Sequence, residues 1–138
     1  MSEAEERVLR VPAELDRLSE VLDFVNGLLE EHECPMRAQM LIEVSLEELF
    51  VNIARYAYPE GGGWAEIRAA VADGAASVTL VDAGIPYDPL AKPDPDVTLS
   101  AEEREIGGLG IYMVKQKMDE MHYEYRDGQN MLTFRKKL

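Results

Sequence analysis

Two Asp-Gly pairs, Asp73-Gly74 and Asp127-Gly128, constrain the fold of this chain more than any other feature of its sequence. Each pair stands between two short segments that have the composition of β-strands, and Asp-Gly in that setting is a strong signal for a tight hairpin. Strands joined by so short a turn lie antiparallel, whereas parallel strands need long crossover connections. We therefore predict that the sheet is built largely from hairpins.

The other elements follow from the spacing of the apolar residues and from the positions of proline and glycine. The predicted order is a strand over 6–12, helices over 13–31 and 36–56, hairpin strands over 64–72 and 76–81, a helix from 107 to about 120, and hairpin strands over 123–126 and 130–135. This order predicts an α+β fold, a two-layer sandwich in which helices cover one face of a mixed, mostly antiparallel sheet.

Length and charge narrow the class of protein. The 138 residues are expected to form a single domain over 1–138. Fourteen Lys and Arg against 27 Asp and Glu give a net charge of −13, which argues against non-specific binding to nucleic acid or to anionic membranes, because both rely on basic side chains. No apolar run approaches the roughly 20 residues of a membrane span, and the acidic, polar start of the chain does not have the pattern of a signal peptide. We expect a cytoplasmic protein.

Glu48 and Asn52 form the first candidate site. They lie four residues apart in the second predicted helix, so their side chains share one face, beside the apolar stripe and not opposite it. At the border of a core, a carboxamide oxygen can bind Mg²⁺ and a carboxylate can accept a proton. The alternative is a plain solvated face, and the Glu-x-x-x-Asn spacing taken alone favours that simpler interpretation.

The second candidate site follows an apolar strand, where the chain must stop pairing and turn. Asp82 stands at the strand end and can aim its carboxylate into a pocket, while Gly84 allows backbone to approach closely. Such a carboxylate could accept a hydrogen bond from an exocyclic amine such as that of adenine. The alternative is a turn in which Asp82 bonds its own backbone.

The third candidate site is the run Gly-Gly-Leu-Gly over residues 107–110, which leads directly into a helix. Free backbone N–H groups at a helix N-terminus bind anions, and glycine lets a phosphate approach them. The run is not a Walker A loop, because no Gly-Lys-Ser/Thr follows, and Met113 stands where a dinucleotide fingerprint has its third glycine. The alternative is a flexible hinge.

Taken together and in this order, the three segments resemble the N, G1 and G2 boxes of the GHKL ATPases, the superfamily of gyrase, Hsp90, histidine kinases and MutL. The sequence Asp-x-Gly-x-Pro-Tyr-Asp-Pro from Asp82 and the Gly-Gly-Leu-Gly run resemble the RsbW-like branch, the anti-sigma-factor serine kinases. The resemblance covers residues 8–138, nearly the whole chain, and implies the Bergerat type of ATP-binding fold.

The resemblance implies a role for each residue that matches the family's motifs. Asn52 would coordinate the Mg²⁺ that bridges the ATP phosphates, and Glu48 would be the general base that takes the proton from a serine hydroxyl. Asp82 would recognise the adenine amino group, with Gly84 allowing the base to pack close. These four residues are the predicted centre of the site.

The resemblance also places the phosphates. Gly108, Leu109 and Gly110 match the G2 box, whose amides meet the phosphate groups. Residues 88–106 would form an ATP lid, with Arg104 as its candidate phosphate contact.

Three further residues bear on the match. Tyr58 stands where relatives usually keep an aromatic residue after the N box. Pro86 replaces the last glycine of the broad superfamily's G1 box, which the RsbW-like branch tolerates, and Tyr56 occupies a position where many of these kinases carry histidine. The tyrosine at position 56 bears on the efficiency of phosphotransfer and not on the binding of ATP.

The function implied by the resemblance is that of an ATP-dependent serine/threonine protein kinase, with Mg²⁺, that phosphorylates a STAS-type anti-sigma antagonist and sequesters a sigma factor. Relatives of this type often dimerise, so a homodimer is expected. Two alternatives remain open. One is a binding module that ATP gates without turnover, and the other is a catalytic domain that serves a separate protein phosphorylated on histidine.

Overall fold

The computed structural model describes residues 6–91 and 108–138. The helices and strands, in chain order, are β1 (Arg7–Pro12), α1 (Leu18–Glu31), α2 (Met36–Asn52), β2 (Trp64–Ala72), β3 (Ala75–Asp82), α3 (Gly108–Lys117), β4 (Glu120–Arg126) and β5 (Gln129–Lys137). A short 3₁₀ turn, Leu15–Arg17, precedes α1, and a π-helical turn, Ile53–Ala57, continues α2.

The five strands form one sheet in the order β1-β2-β3-β5-β4. Both Asp-Gly pairs make the predicted hairpin turns: Asp73 and Gly74 have φ of 53° and 75°, and Asp127 and Gly128 have φ of 56° and 76°. Positive φ at both central residues defines the type I′ turn, whose twist matches that of the flanking strands. Every strand pair in the described ranges is antiparallel, which confirms the predicted α+β class.

The helices pack on one face of the sheet, with α2 in contact with both α1 and α3. Alternate residues of the central strands point into this layer because successive side chains of a strand face opposite sides. The largest fully buried side chains are Phe50, Phe134, Leu28, Leu29, Ile42, Leu46, Ile67, Leu80, Val21, Val25, Val78 and Val81. Within the described ranges, no helix has both the length and the apolar composition needed to cross a membrane.

The helices differ from the predicted ones at their ends. α1 starts only after the 3₁₀ turn, and α3 ends at Lys117 because the chain enters β4 at Glu120. The second predicted helix ran unbroken to residue 56, whereas regular α-helix ends at Asn52 and gives way to the π-helical turn. That turn brings the carbonyl of Ala57 to the loop after β3, where the backbone N–H of Ile85 donates to it at 2.9 Å.

Candidate active site

A cavity of about 540 Å³ opens where α2 and its π-helical turn meet the ends of β3 and β5. It has mostly apolar walls with a few polar groups, and its lining consists of Leu49, Asn52, Ile53, Tyr56, Ala57, Leu80, Asp82, Ile85, Tyr87, Pro89, Ile111, Tyr123, Asn130 and Leu132. Cavities of this size and character bind small organic ligands, and the few polar groups fix the ligand's orientation.

Asp82 is the buried acid of the cavity, with only 5% of its surface exposed. Its Oδ1 accepts hydrogen bonds from the backbone N–H of Gly84 at 2.9 Å and from Nδ2 of Asn130 at 3.0 Å. Its Oδ2 has no hydrogen bond from any described residue. The turn in which Asp82 bonds its own backbone is therefore present, and the same side chain also lines the cavity.

Burial governs the protonation of Asp82. It raises the pKa of this carboxyl above its ordinary value, and the hydrogen bonds from Asn130 and Gly84 oppose that rise only in part. Any further hydrogen-bond donor that enters the cavity would therefore stabilise the charged form of Asp82.

Gly84 lies directly against the π-helical turn. A Cβ atom built on it would stand 2.6 Å from Cβ of Ala57 and 2.7 Å from its carbonyl carbon, closer than such atoms pack. The glycine therefore allows the loop after β3 to reach the end of the helical segment. The close approach visible here is between two backbone segments, whereas the approach expected from the sequence was to a base.

Tyr58 ties the same loop to the sheet. Its hydroxyl donates to the carbonyl of Trp64 at 2.5 Å and accepts from the backbone N–H of Ala83 at 2.8 Å. The ring packs against Gly63, where a Cβ atom would collide with it. The aromatic residue expected after the N box thus fixes the start of β2 and the end of β3 relative to each other.

Glu48 and Asn52 lie on successive turns of α2, and both are half-buried, whereas Glu47 is exposed. The Glu48 carboxylate reaches the first turn of α3, where a Cβ atom on Gly110 would lie 2.8 Å from its Oε2. Burial raises the pKa of Glu48, and the charge of Glu47 adds to the rise. The charge of Arg55 and a hydrogen bond with Asn52 lower the pKa of Glu48 and so oppose this rise. Glu48 and Asn52 are therefore partly shielded from solvent, whereas the neighbouring Glu47 is solvated.

α3 begins at the predicted G2 box, with Gly108, Leu109 and Gly110 in its first turn. Ile111, the next residue, lines the cavity. Most of the expected lid, and Arg104 with it, lies outside the described residues.

Asn130 is a buried polar residue of the cavity that sequence reasoning missed, as it also missed Tyr123, whose hydroxyl donates to the Asn130 amide oxygen. Asn130 is 6% exposed and pairs with Asp82 in the register of β3 and β5. A signal was available: Asn130 alternates with Leu132 and Phe134, so an inward-facing position of β5 carries an amide where its neighbours carry apolar groups.

The donor atoms near α3 suit magnesium. Asn52 offers a hard amide oxygen, and Mg²⁺ commonly binds only one or two protein groups together with substrate phosphates. In the part of the chain that the structure describes, no group of three or more His, Cys, Asp or Glu side chains could hold a metal by itself. The residues present therefore fit a metal shared with a bound phosphate and do not form an all-protein cage.

Comparisons with known proteins identify relatives of this chain. The serine/threonine-protein kinase BtrW of Bordetella bronchiseptica is 28% identical over 99 residues, which cover 70% of this chain and 69% of that protein. The solved structure of the RsbU and RsbW domains of Rv1364c from Mycobacterium tuberculosis has the same fold over 96% of this chain, with a TM-score of 0.67 and 16% identity. This chain spans 32% of that longer one.

The family match extends over nearly the whole chain. Residues 11–136 match the histidine kinase-like ATPase domain family. This range includes all three candidate segments. The resemblance to GHKL proteins of the RsbW-like type is thereby confirmed. The chain belongs to the family of histidine kinase-like ATPase domains.

Proposed function

We propose that this protein binds Mg-ATP in the cavity and transfers its γ-phosphoryl group to a serine or threonine of a partner protein. The observation that carries the proposal is the arrangement of the two ends of the cavity. Asp82 and Asn52 both line the cavity, and among the described residues none donates to Oδ2 of Asp82. Glu48, one turn before Asn52 on α2, lies outside this lining and against Gly110 in the first turn of α3. The arrangement suits a ligand that places a base near Asp82 and phosphates near α3.

At the base end, Asp82 accepts a hydrogen bond from the exocyclic amine of adenine through Oδ2. A hydrogen bond to a charged group contributes about 1.5–3 kcal/mol, enough to set the orientation of the base. The apolar walls, including Leu80 and Ile111, bury the rings.

At the phosphate end, Glu48 takes the proton of the attacking hydroxyl as its oxygen bonds to the γ-phosphorus. The bond between that phosphorus and the β–γ bridging oxygen breaks, and ADP leaves. The amides of Gly108, Leu109 and Gly110 meet the phosphates at the N-terminus of α3. The side-chain oxygen of Asn52 would hold Mg²⁺, which when bound would supply positive charge against the phosphates.

The similarity to BtrW, a serine/threonine-protein kinase, supports a hydroxyl acceptor. The RsbW-like resemblance extends the proposal to its partners, a STAS-type antagonist as the phosphorylated protein and a sigma factor as the sequestered one. It also supports a homodimer as the working form, residues 88–106 as the ATP lid, and Arg104 as the contact of that lid with the phosphates.

The test compares two neighbouring carboxylates. Mg-ATP binding is measured by calorimetry, and transfer of labelled γ-phosphate to a STAS-type protein is measured with Glu48→Gln and, as the matched control, Glu47→Gln. We expect both variants to bind Mg-ATP as the wild type does. Glu48→Gln should lose phosphotransfer by about 10²- to 10⁴-fold, the usual contribution of a general base, and Glu47→Gln should keep it.

The pH dependence provides a second readout. A base acts only when deprotonated, so the wild-type rate should fall as the pH drops through the raised pKa of Glu48. Full activity of Glu48→Gln would refute its role as the base.

A nucleotide-gated binding module is the second candidate, and Tyr56 favours it. This residue is 57% exposed at the cavity, where many related kinases carry histidine. Tight Mg-ATP binding with no phosphoprotein, unaffected by Glu48→Gln, would establish this function in place of the kinase. Acid-labile phosphate on the partner would instead indicate a histidine acceptor.

A further inference from the structure

We propose that the outer face of α2 is a docking site for a basic amphipathic helix of a partner protein. This face lies on the solvent side of the helical layer, and its residues do not line the cavity. The inference therefore does not depend on the proposed nucleotide chemistry.

The face carries an apolar ridge of three side chains, Met36, Met40 and Val44. They are 78%, 58% and 63% exposed, and because they stand at every fourth position they lie one above another along α2. At about 1.5 Å per residue the ridge is about 12 Å long. The solvent side of a helix is normally polar, so three consecutive apolar side chains there indicate a surface that a partner covers.

Acidic side chains border this ridge. Glu43 and Glu47 lie three positions after its second and third members, so they are its neighbours on the helix surface, and within the described residues neither takes part in an ion pair. On the α1 side, Gln39 donates to Glu30 at 3.4 Å, which holds that carboxylate next to α2. Residues 14–48 include ten acidic side chains and only two basic ones. The partner that complements this surface is apolar along one line and basic beside it.

The spacing of the ridge favours a helix as the partner. A row of side chains four residues apart on one helix packs between the equivalent rows of another helix. Because α2 packs between α1 and α3, a helix seated on the ridge would lie on top of the helical layer. Methionine side chains are flexible and polarizable, so Met36 and Met40 can adapt to the apolar side chains of the partner.

Charge argues against two other occupants of the face. In a symmetric dimer the same surface of each copy meets itself, so Glu43 and Glu47 would oppose the carboxylates of the second copy. The same carboxylates would be repelled by an anionic membrane surface. A homodimer of this chain would therefore use a different surface.

The probe is a fluorescein-labelled peptide of about 18 residues, or five helical turns, with a leucine stripe flanked by lysines. A second peptide carries glutamate in place of lysine, and a third has the lysine peptide's composition in a scrambled order without an apolar face. Fluorescence anisotropy measures their affinities. The wild type should bind the lysine peptide at least about tenfold more tightly than either of the others.

The apolar ridge is tested with the double variant Met40→Gln, Val44→Gln. Glutamine is a good helix former, so the change removes apolar contact without breaking α2. The lysine peptide should bind about tenfold more weakly or worse, as when anchors of an interface are lost. Val8→Thr is the matched control, because it removes an apolar side chain that is 53% exposed in β1, and it should bind as the wild type does.

The acidic border is tested with the double variant Glu43→Gln, Glu47→Gln. Affinity for the lysine peptide should fall by about three- to tenfold at low salt and by less than about twofold in about 0.5 M salt, because salt screens the attraction. The double variant Glu120→Gln, Glu124→Gln makes the same change of charge on β4. It should change the affinity by less than about twofold at either salt concentration.

The site of contact is read from methionines labelled with ¹³C in their methyl groups. Adding the lysine peptide should shift the resonances of Met36 and Met40. The resonances of the buried Met118 and of Met131 on β5 should stay in place and serve as internal controls.

The outcomes are distinct. Equal binding of the three peptides, or wild-type affinity of Met40→Gln, Val44→Gln for the lysine peptide, overturns the inference. A wild-type dimer that this double variant converts to a monomer also overturns it, because the face would then join two copies. All the variants should bind Mg-ATP as the wild type does, so failure of the docking site leaves the proposed function standing. A wild type that binds the lysine peptide but no Mg-ATP overturns the proposed function alone.

Discussion

Asp82 faces opposite demands from binding and from stability. The oxygen that would hold adenine belongs to a carboxylate whose burial raises its pKa, so the charge of Asp82 costs folding free energy. A raised folded-state pKa means that the folded protein binds the proton more tightly than the unfolded chain. The group's contribution to stability is therefore greatest below its unfolded pKa of about 3.9 and is lost as the pH rises through the folded pKa.

Asp82→Asn should separate the effect of this residue on ATP binding from its effect on stability. The amide keeps an oxygen for Gly84 and Asn130 and removes the charge, so the ligand-free variant should melt about 2–6 °C above the wild type at neutral pH. The two melting temperatures should converge in acid, as thermal unfolding between pH 4 and pH 8 would reveal.

The same variant should bind ATP at least about tenfold more weakly, because an acceptor becomes partly a donor. Unchanged ATP affinity by calorimetry would remove Asp82 from the proposed site. A melting temperature below that of the wild type at every pH would contradict the cost assigned to its charge.

The sequence predicts site residues whose position follows from local periodicity. It does not predict residues whose role follows from contact with a residue far away in the chain. Glu48 and Asn52 follow from the helical repeat, and Asp82 follows from the end of an apolar strand. The pairing of Asp82 with Asn130 depends on the register between β3 and β5, which lie far apart in the chain. A single sequence shows which face of a strand a residue occupies, but it does not show the residue across from it.

At the scale of elements, the π-helical turn is what the sequence could not reveal. Helical propensity and apolar spacing continue smoothly through Ile53–Ala57, so an unbroken helix was the natural expectation. The wider turn packs against the loop after β3 through a tertiary contact of Ala57 with Gly84 and Ile85, which local sequence does not encode. Such turns are rare and occur often at functional sites.

Gly84→Ala tests this junction. The added methyl group would collide with Ala57, so the loop must move away from the helical turn and carry Asp82 with it. We expect a loss of about 1–3 kcal/mol in the free energy of unfolding, as in other overpacked sites, together with weaker ATP binding. Urea denaturation and calorimetry measure the two effects.

Gly27→Ala provides a control of opposite sign. Gly27 lies in α1, and apart from its own helix backbone no group of the described residues comes within 4 Å of an added Cβ atom, so alanine there should stabilise the protein by about 0.5–1 kcal/mol. ATP affinity should not change. If Gly84→Ala proved as stable as the wild type, the contact with Ala57 would not be what requires glycine at this position.

At the scale of the whole molecule, the acidity of the chain opposes its proposed ligand. A net charge of −13 repels a nucleotide triphosphate at long range, and this repulsion acts on the rate of encounter more than on the contacts made after binding. Salt shortens the range of the repulsion to about 10 Å at 0.1 M. Most anion-binding sites behave in the opposite way, because a positive field draws the ligand in and salt weakens it.

The association rate of a fluorescent ATP analogue should therefore rise with ionic strength, by about two- to fivefold between roughly 20 mM and 300 mM salt in stopped-flow measurements. Mg²⁺ should raise the low-salt rate, since it lowers the charge of the nucleotide. The matching fluorescent adenosine, which carries no phosphate, should associate at a rate independent of salt. A rate that falls with salt would mean that the field at the N-terminus of α3 outweighs the net charge. The phosphate end of the cavity would then draw the nucleotide in despite the acidity of the whole chain.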